Sequence, residues 1–157
     1  MILVTSAGGK TGRAMISTFA KSGEPVRAMM RRTDADEELH AVGATEIVHG
    51  DMADAAAFAA AAQGCRTIYY ICPNMTEQEK IFGDNAIAAA KSAGVGRMVF
   101  HSVLHTQVQA LQHHWNRMCV EEAIVESGVL YSILQVGSYY QNMLPSWAKM
   151  KETGVHA

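Results

Sequence analysis

Short apolar runs and helix-period stretches alternate along the whole chain. Six of the runs are typical of buried strands, and they cover residues 1–5, 26–30, 44–48, 67–71, 97–100 and 129–134. Helical stretches lie between them over 13–22, 34–41, 53–62, 76–92 and 107–126, and a further one is predicted from 138 onward. Because strands joined by helices imply right-handed crossovers, the pattern predicts an α/β, doubly wound parallel sheet with helices on both faces. The expected strand order is 3-2-1-4-5-6.

Two local signals concern the later helices. One predicts where the helix that ends at Ser92 begins, and the other predicts which side of the long helix over 107–126 is buried. Thr76 and Glu79 have the spacing of a capping box, which would start the helix that runs to Ser92. In the long helix over 107–126, apolar residues recur at helical spacing. They predict a buried stripe made of Leu111, Trp115, Cys119 and Ala123.

A glycine-rich turn joins the first strand to the first helix. It consists of Ser6, Ala7, Gly8, Gly9, Lys10, Thr11 and Gly12. Free N–H groups at a helix start carry partial positive charge, and residues without side chains let a pyrophosphate approach them. We expect Gly8 and Gly9 to allow that approach and Gly12 to let the helix pack closely on the strand, with Ser6 in the first glycine place. An ordinary turn without a ligand is the alternative.

The same turn excludes a nucleoside triphosphatase loop. Gly9, Lys10 and Thr11 match the end of that motif, but the motif needs another glycine five positions before Gly9. Val4 occupies that position, inside the strand.

Two arginines at the end of the second strand predict which dinucleotide binds. At this position an acidic residue bonds the ribose of NAD, whereas arginine accommodates the 2′-phosphate of NADP. Arg31 and Arg32 therefore favour NADP(H) over NAD(H), with a solvated charge pair as the alternative. Asp51, after the third strand, is assigned to the adenine, although a turn aspartate needs no ligand. The predicted cofactor site also includes Met52, Cys72 and Pro73.

Composition narrows the class of protein. The 157 residues predict a single domain over 1–157, with 49% apolar and 18% charged residues. A net charge of −2 argues against nucleic-acid binding, and no apolar run approaches the length of a membrane helix. Three cysteines without Cys-x-x-Cys spacing, and no signal peptide, predict a cytoplasmic protein. The histidines show no spacing typical of a metal site.

Four stretches resemble the NmrA-like group of atypical short-chain dehydrogenases. They are residues 4–12, 26–32, 50–51 and 121–135. The resemblance implies a Rossmann fold that binds NADP(H), with Ser6 to Gly12 on the pyrophosphate and Arg31 or Arg32 on the 2′-phosphate. Members of this group include NADPH-dependent reductases and also regulators that bind the dinucleotide without turning it over.

The chain departs from that family in its catalytic residues. Short-chain dehydrogenases use a Tyr-x-x-x-Lys pair on the long helix and a serine at the end of the fifth strand. Ser102 has the place of the serine, His113 that of the tyrosine and Arg117 that of the lysine. Ser102 would orient the acceptor, His113 can donate a proton near neutrality, and Arg117 can hold a ribose. A histidine on the helix surface is the alternative for His113.

The chain also departs from the family in length, because the C-terminal substrate lobe is largely absent. Three interpretations of this difference remain open. The chain is a fragment, a naturally short protein, or a subunit whose partner supplies the lid over the substrate. Residues that the lobe would cover are expected to be exposed and to favour a homodimer. They include Tyr139, Tyr140, Met143 and Trp147.

Three functions remain open from the sequence. The first is an NADP(H)-dependent oxidoreductase that acts on a small carbonyl or quinone. The second is a redox sensor that binds NADP(H) and acts through a protein partner, which the missing tyrosine and lid favour. The third is a cofactor domain that does nothing alone.

Overall fold

The computed structural model describes residues 1–154, so the end of the predicted C-terminal helical stretch, residues 155–157, lies outside the described part. Strands and helices alternate as the sequence pattern predicts. The elements are β1 (Ile2–Val4), α1 (Lys10–Lys21), β2 (Val26–Met30), α2 (Asp36–Ala41), β3 (Glu46–His49), α3 (Ala55–Ala62), β4 (Thr67–Ile71), α4 (Glu79–Ser92), β5 (Arg97–Val103), α5 (Gln112–Glu126), β6 (Tyr131–Val136), a 3₁₀ helix (Tyr140–Ser146) and α6 (Trp147–Thr153).

The strands form one parallel sheet in the order β3-β2-β1-β4-β5-β6, which confirms the predicted topology. The order reverses beside β1, which pairs with β2 on one side and with β4 on the other. In an open sheet of this kind, ligands bind outside the carboxyl ends of the strands at that reversal. The glycine turn follows β1 and therefore lies at this point.

Hydrophobic side chains form a separate core on each face of the sheet. Successive strand residues point to opposite faces. Leu3 accordingly packs in one core with Phe58 of α3 and Ile124 of α5, while Val4 packs in the other with Ile16 of α1. Helices α3, α4 and α5 thus cover one face, and α1 and α2 cover the other.

The second face is covered only in part. Helices α1 and α2 lie over β1, β2 and β3, whereas among the described residues β5 contributes only the partly buried Val99 to the core on that side and β6 contributes none. His101 of β5 is half-buried there, and its register neighbour Leu134 of β6 is 41% exposed. None of the helices in residues 1–154 combines the length and apolar content that crossing a bilayer requires.

The capping box predicted at the start of α4 does not form. Thr76 Oγ1 accepts a hydrogen bond from the Gln78 N–H at 3.2 Å, and α4 begins only at Glu79. The Glu79 carboxylate is buried and pairs with Arg117 of α5. A charge-assisted contact in the interior outcompetes the return of this side chain to its own backbone.

The helix α5 also differs from its prediction. It begins at Gln112, after a loop that was predicted to be helical from Gln107. The predicted apolar stripe is not the most buried side, since Leu111 is 45% exposed. The buried positions are Arg117, Val120, Glu121 and Ile124. Two of them are charged, and each has a buried partner that compensates its desolvation.

Candidate functional site

The glycine turn is held rigidly at the carboxyl ends of β1 and β4. Thr5 Oγ1 donates to the Ile71 carbonyl and accepts from the Ile71 N–H, both at 2.8 Å. Ser6 Oγ donates to the same carbonyl at 2.9 Å. Ser6 has a φ of +47°, so the serine adopts the left-handed conformation that its place in the glycine pattern requires.

Gly12 allows α1 to pack directly against the turn. A Cβ atom at this position would lie 2.6 Å from the Ser6 carbonyl oxygen and 2.7 Å from the Cα atom of Ala7. No side chain other than hydrogen fits there without moving the helix. This agrees with the role in close helix packing that the sequence predicts for Gly12.

The first turn of α1 offers unpartnered backbone donors. Its N-cap residue is Gly9, no side chain of residues 1–154 caps this end, and the first turn contains no acidic residue. The first N–H groups of a helix have no acceptor within the helix, and they carry partial positive charge. This end of α1 therefore suits an anion such as a pyrophosphate.

A cleft of about 480 Å³ opens beside the turn and extends between the ends of β2, β3 and β4. Eight of the predicted cofactor residues line it: Ser6, Gly8, Gly9, Arg31, Arg32, Asp51, Met52 and Pro73. Other predicted residues do not line it, because Ala7 and Cys72 are buried and Gly12 faces the turn. Lys10 and Thr11 lie in the first turn of α1, outside the cleft lining.

Three arginines surround one end of the cleft, and sequence reasoning missed one of them. Arg13 pairs with Glu38 of α2 at 2.5 Å, and its Nε atom is buried without a hydrogen bond in the described part of the chain. The signal available in the sequence was its place directly after Gly12, one helical turn from the glycines. Arg31 is 80% exposed, and its nearest carboxylate, Asp51, is 3.6 Å away.

Arg32 differs from Arg31 because it already has a partner. Its guanidinium donates to both carboxylate oxygens of Asp34, one of them at 2.8 Å. This pair raises the pKa of Arg32 and lowers that of Asp34. Arg31 is consequently the freer cation for an incoming phosphate.

The acidic and sulfur-containing members of the predicted cofactor site have local roles. Asp51 Oδ1 accepts from the Ala53 N–H at 2.9 Å, which fixes the turn after β3, while Oδ2 lies 3.6 Å from an Arg31 terminal nitrogen. Burial raises the pKa of the Cys72 thiol to about 12, with the Glu79 charge adding to the effect. Cys72 therefore stays protonated, and only its neighbour Pro73 reaches the cleft.

Ser102, the predicted acceptor-orienting residue, is 2% exposed. Its hydroxyl donates a short hydrogen bond to Glu121 of α5. The same carboxylate accepts from Thr106 at 3.3 Å and from Gln135 of β6 at 2.8 Å. This geometry makes Ser102 part of a buried network and does not present its hydroxyl to an acceptor.

Arg117, in the predicted lysine place, lies beneath the surface. Its Nε atom is 2.5 Å from Glu79 Oε1, and its terminal nitrogens donate to the carbonyls of His101 at 2.8 Å and Cys72 at 3.4 Å. Burial raises the pKa of the Glu79 carboxyl against the opposing effect of the arginine charge. The guanidinium links α4, α5 and the ends of β4 and β5, so its donors are engaged within the protein.

His113, in the predicted tyrosine place, lies in the first turn of α5 beside His114, with ring centroids 4.3 Å apart. Partial burial lowers its pKa, and the neighbouring His114 and Arg117 contribute. The structure therefore brings the eight cleft residues together, whereas Ser102, His113 and Arg117 have separate partners.

Comparison with known proteins places this architecture in a family. The family model described as NmrA-like matches residues 1–157. The chain belongs to the NmrA-like family. Its nearby relatives include quinone oxidoreductase 2 of Escherichia coli, which is 31% identical over 157 residues. A second relative is the (4-alkanoyl-5-oxo-2,5-dihydrofuran-3-yl)methyl phosphate reductase of Streptomyces griseus, which is 32% identical over 151 residues.

A solved structure has the same fold. The crystal structure of an NADPH-dependent quinone oxidoreductase from Escherichia coli, complexed with NADPH, superposes with a TM-score of 0.84 at 29% identity. The match covers 98% of this chain and 55% of the solved chain. The chain covers 54% of the first curated relative and 51% of the second, so it spans about half the length of the curated relatives it matches.

The residues present fit a dinucleotide. The cradle at Gly8 and Gly9 is free of side chains, and a Cβ atom at Gly9 would lie 3.3 Å from the Ser6 carbonyl oxygen. Behind it, the uncapped end of α1 offers N–H donors, and the exposed Arg31, 3.6 Å from Asp51, provides a cation at the far end of the same cleft. These donors complement a pyrophosphate and a phosphate monoester.

Proposed function

We propose that this chain binds NADP(H) in the cleft beside the glycine turn. The observation that carries the proposal is the combination of an uncapped, acid-free start of α1 with arginines at the other end of one continuous cleft. Such a cleft provides one set of donors for the pyrophosphate of NADP and a separate set for its 2′-phosphate.

Each part of the site has a proposed role toward the dinucleotide. The turn from Ser6 to Gly12 would hold the pyrophosphate, with backbone N–H groups of α1 as donors. Arg31 would hold the 2′-phosphate, with Arg13 as a second cation. Asp51 and Met52 would border the adenine, and Pro73 the opposite wall.

We further propose that the chain is an oxidoreductase that acts on a small carbonyl or quinone. When bound, reduced NADP would supply a hydride, which is two electrons and one proton. The support is the NADPH-dependent quinone oxidoreductase to which the chain is similar over 98% of its length. The chain's own residues bind and orient the dinucleotide, and the exposed part of the sheet beside β5 and β6 is where an acceptor can approach.

Calorimetric titration with NADPH and NADH at one salt concentration tests the cofactor proposal. We expect tighter binding of NADPH, and a loss of that preference by about 10-fold or more in Arg31→Ala, because a charge-assisted hydrogen bond is removed. Arg32→Ala is expected to have a smaller effect, since Arg32 is already bonded to Asp34.

Arg66→Ala is the matched control for this titration. It removes the same charge at the opposite end of β4, where Arg66 pairs with Glu24, and it should leave both affinities unchanged. Absence of binding for either dinucleotide would overturn the proposal. NADPH oxidation over a panel of quinones and aldehydes then tests the reductase activity, and tight binding without turnover would contradict it.

We also propose a homodimer in the cytoplasm. Several large apolar side chains after β5 are exposed, among them Leu134, Tyr140, Leu144 and Trp147. Exposed patches of this kind are typical of interfaces. Cys65, Cys72 and Cys119 are all free thiols, in keeping with a reducing compartment.

A further inference from the structure

A row of four polar side chains, Thr11, Tyr69, His101 and Tyr139, crosses the carboxyl edge of the sheet. The Tyr69 hydroxyl of β4 is 2.9 Å from His101 Nδ1, and His101 Nε2 is 2.5 Å from the Tyr139 hydroxyl. Thr11 Oγ1, in the first turn of α1, donates to the same hydroxyl at 3.5 Å. The row therefore leads from the interior of the sheet to the start of α1, where the pyrophosphate is proposed to bind.

Exposure increases along this row from Tyr69 to Tyr139. Tyr69 is 4% exposed and lies between Phe19 and His101, so its hydroxyl has the imidazole as its partner. His101 is half-buried beside β6, from which no described residue belongs to the core on that side of the sheet. Tyr139 is 38% exposed, so its phenol is the member that an acceptor in solution can contact.

Building on the proposed oxidoreductase function, we propose that Tyr139 donates the proton that the acceptor's oxygen gains during reduction. The acceptor takes up a hydride and one proton, and Tyr139 supplies the latter from its hydroxyl. The phenolate then takes the Nε2 proton of a protonated His101, which becomes neutral and regains a proton from water. The acceptor thus gains two electrons and two protons in total, and the protein returns to its starting state.

Tyr69 is a positioning residue in this scheme. A hydroxyl can both donate and accept, so it can bond His101 Nδ1 in either protonation state. Burial raises the pKa of Tyr69, with Tyr139 contributing, so Tyr69 keeps its own proton. The imidazole is thereby held with Nε2 toward Tyr139 and is free to change charge.

The charges around His101 set the sign of the pH dependence. The groups that face it are Tyr69 from β4, Tyr139 after β6 and the Arg117 guanidinium from α5. Burial lowers the pKa of His101, and the arginine charge adds to this effect. The protonated form is therefore lost as pH rises through that lowered pKa, and kcat should fall with it. His101→Gln should flatten this limb of the pH profile.

Two variants test the proton donor in the intact chain. We expect Tyr139→Phe to lower kcat about 100-fold, the usual scale of a general acid, with the dissociation constant for NADPH unchanged. Tyr140→Phe is the matched control, because that neighbouring phenol is 87% exposed and has no hydrogen bond in the row. It should reduce quinones like the wild type. A Tyr139→Phe variant with wild-type kcat would overturn the proposal while leaving the oxidoreductase function in place.

A second measurement does not depend on turnover. Histidine-labelled protein followed by NMR gives the pKa of His101, identified by its loss in His101→Gln. We expect Tyr69→Phe and Tyr139→Phe each to shift that pKa and Tyr140→Phe to leave it unchanged. His40, which bonds the Ala44 carbonyl after α2, is the internal reference.

The two measurements separate the proposals. An unshifted His101 pKa in both phenylalanine variants would overturn the row itself, whatever the activity. A wild type that binds NADPH and reduces none of the acceptors would overturn the proton-donor role together with the reductase function. Absence of NADPH binding with the pKa shifts intact would overturn only the cofactor proposal and the catalysis that rests on it.

Discussion

Ser6 shows how one residue replaces a glycine without changing the course of the chain. Its φ of +47° is unfavourable for a residue with a Cβ atom, by about 1–2 kcal/mol. The hydrogen bond from Ser6 Oγ to the Ile71 carbonyl, at 2.9 Å, offsets part of this strain. The Ser6 side chain thus destabilises the fold through backbone strain and stabilises it through its hydrogen bond.

Substitutions at Ser6 separate these two effects. Ser6→Ala keeps the strain and loses the hydrogen bond, so we expect it to lower the free energy of unfolding by about 1 kcal/mol. Ser6→Gly loses the same bond but relieves the strain, so it should stay near the wild-type value. Urea denaturation of the three proteins measures both differences. Equal destabilisation by alanine and glycine would show that the left-handed conformation carries no strain.

At the scale of elements, the Glu121 carboxylate joins parts of the chain that are distant in sequence. It lies on α5 and accepts hydrogen bonds from Ser102 of β5 and Gln135 of β6, with Thr106 from the intervening loop. Within residues 1–154, strand β6 forms one edge of the sheet and pairs with β5 alone. The network therefore secures the edge strand to its helix.

Removal of this carboxylate should loosen β6 before the rest of the sheet. We expect Glu121→Ala to lower the free energy of unfolding by about 3 kcal/mol, because the buried hydroxyls of Ser102 and Thr106 lose their shared acceptor. Glu122→Ala, at the exposed neighbouring position, is the control and should have little effect. Hydrogen exchange would locate the change, with faster exchange in β6 than in β1. A uniform change across all strands would contradict the role assigned to Glu121.

The elements also show where sequence patterns stop being informative. The glycine turn and the strands were predictable, because they depend on local spacing and on runs of neighbouring residues. The pairs Glu79–Arg117 and Tyr69–His101 join residues 38 and 32 positions apart, and no local spacing marks them. The capping box was wrongly predicted for the same reason, because the Glu79 side chain pairs with Arg117 on a different helix, a contact that local spacing does not reveal.

For the molecule as a whole, the uneven covering of the sheet is the main feature. Strand order and the place of the cleft followed from alternation and from the first glycine turn. The exposure of Tyr139, Tyr140 and Trp147 was expected from the family resemblance, whereas the partners of Ser102 and Arg117 depend on packing. The partners of buried polar side chains could therefore not be predicted from composition and periodicity.

The exposed apolar side chains of β6 and of the C-terminal helices, such as Leu134 and Trp147, predict a dimer. We expect light scattering with size exclusion to show a concentration-dependent dimer, because burying about 800 Å² per partner is typical of a specific interface. Leu134→Lys and Trp147→Ser should shift it toward monomer. Val125→Lys, at a position 52% exposed on α5 over the other face, is the matched control. A wild-type monomer at high concentration would contradict the prediction.

The arginines at the end of β2 have a consequence for how such a chain evolves. Arg31 is 80% exposed and packs in neither core, so replacing it changes folding stability by less than about 0.5 kcal/mol. Gly12, by contrast, tolerates no Cβ atom, because its neighbours lie within 2.7 Å. A single substitution at Arg31 can therefore alter the proposed preference for NADP(H) without risk to the fold, whereas any side chain at Gly12 disrupts the turn that is proposed to bind the pyrophosphate common to both dinucleotides.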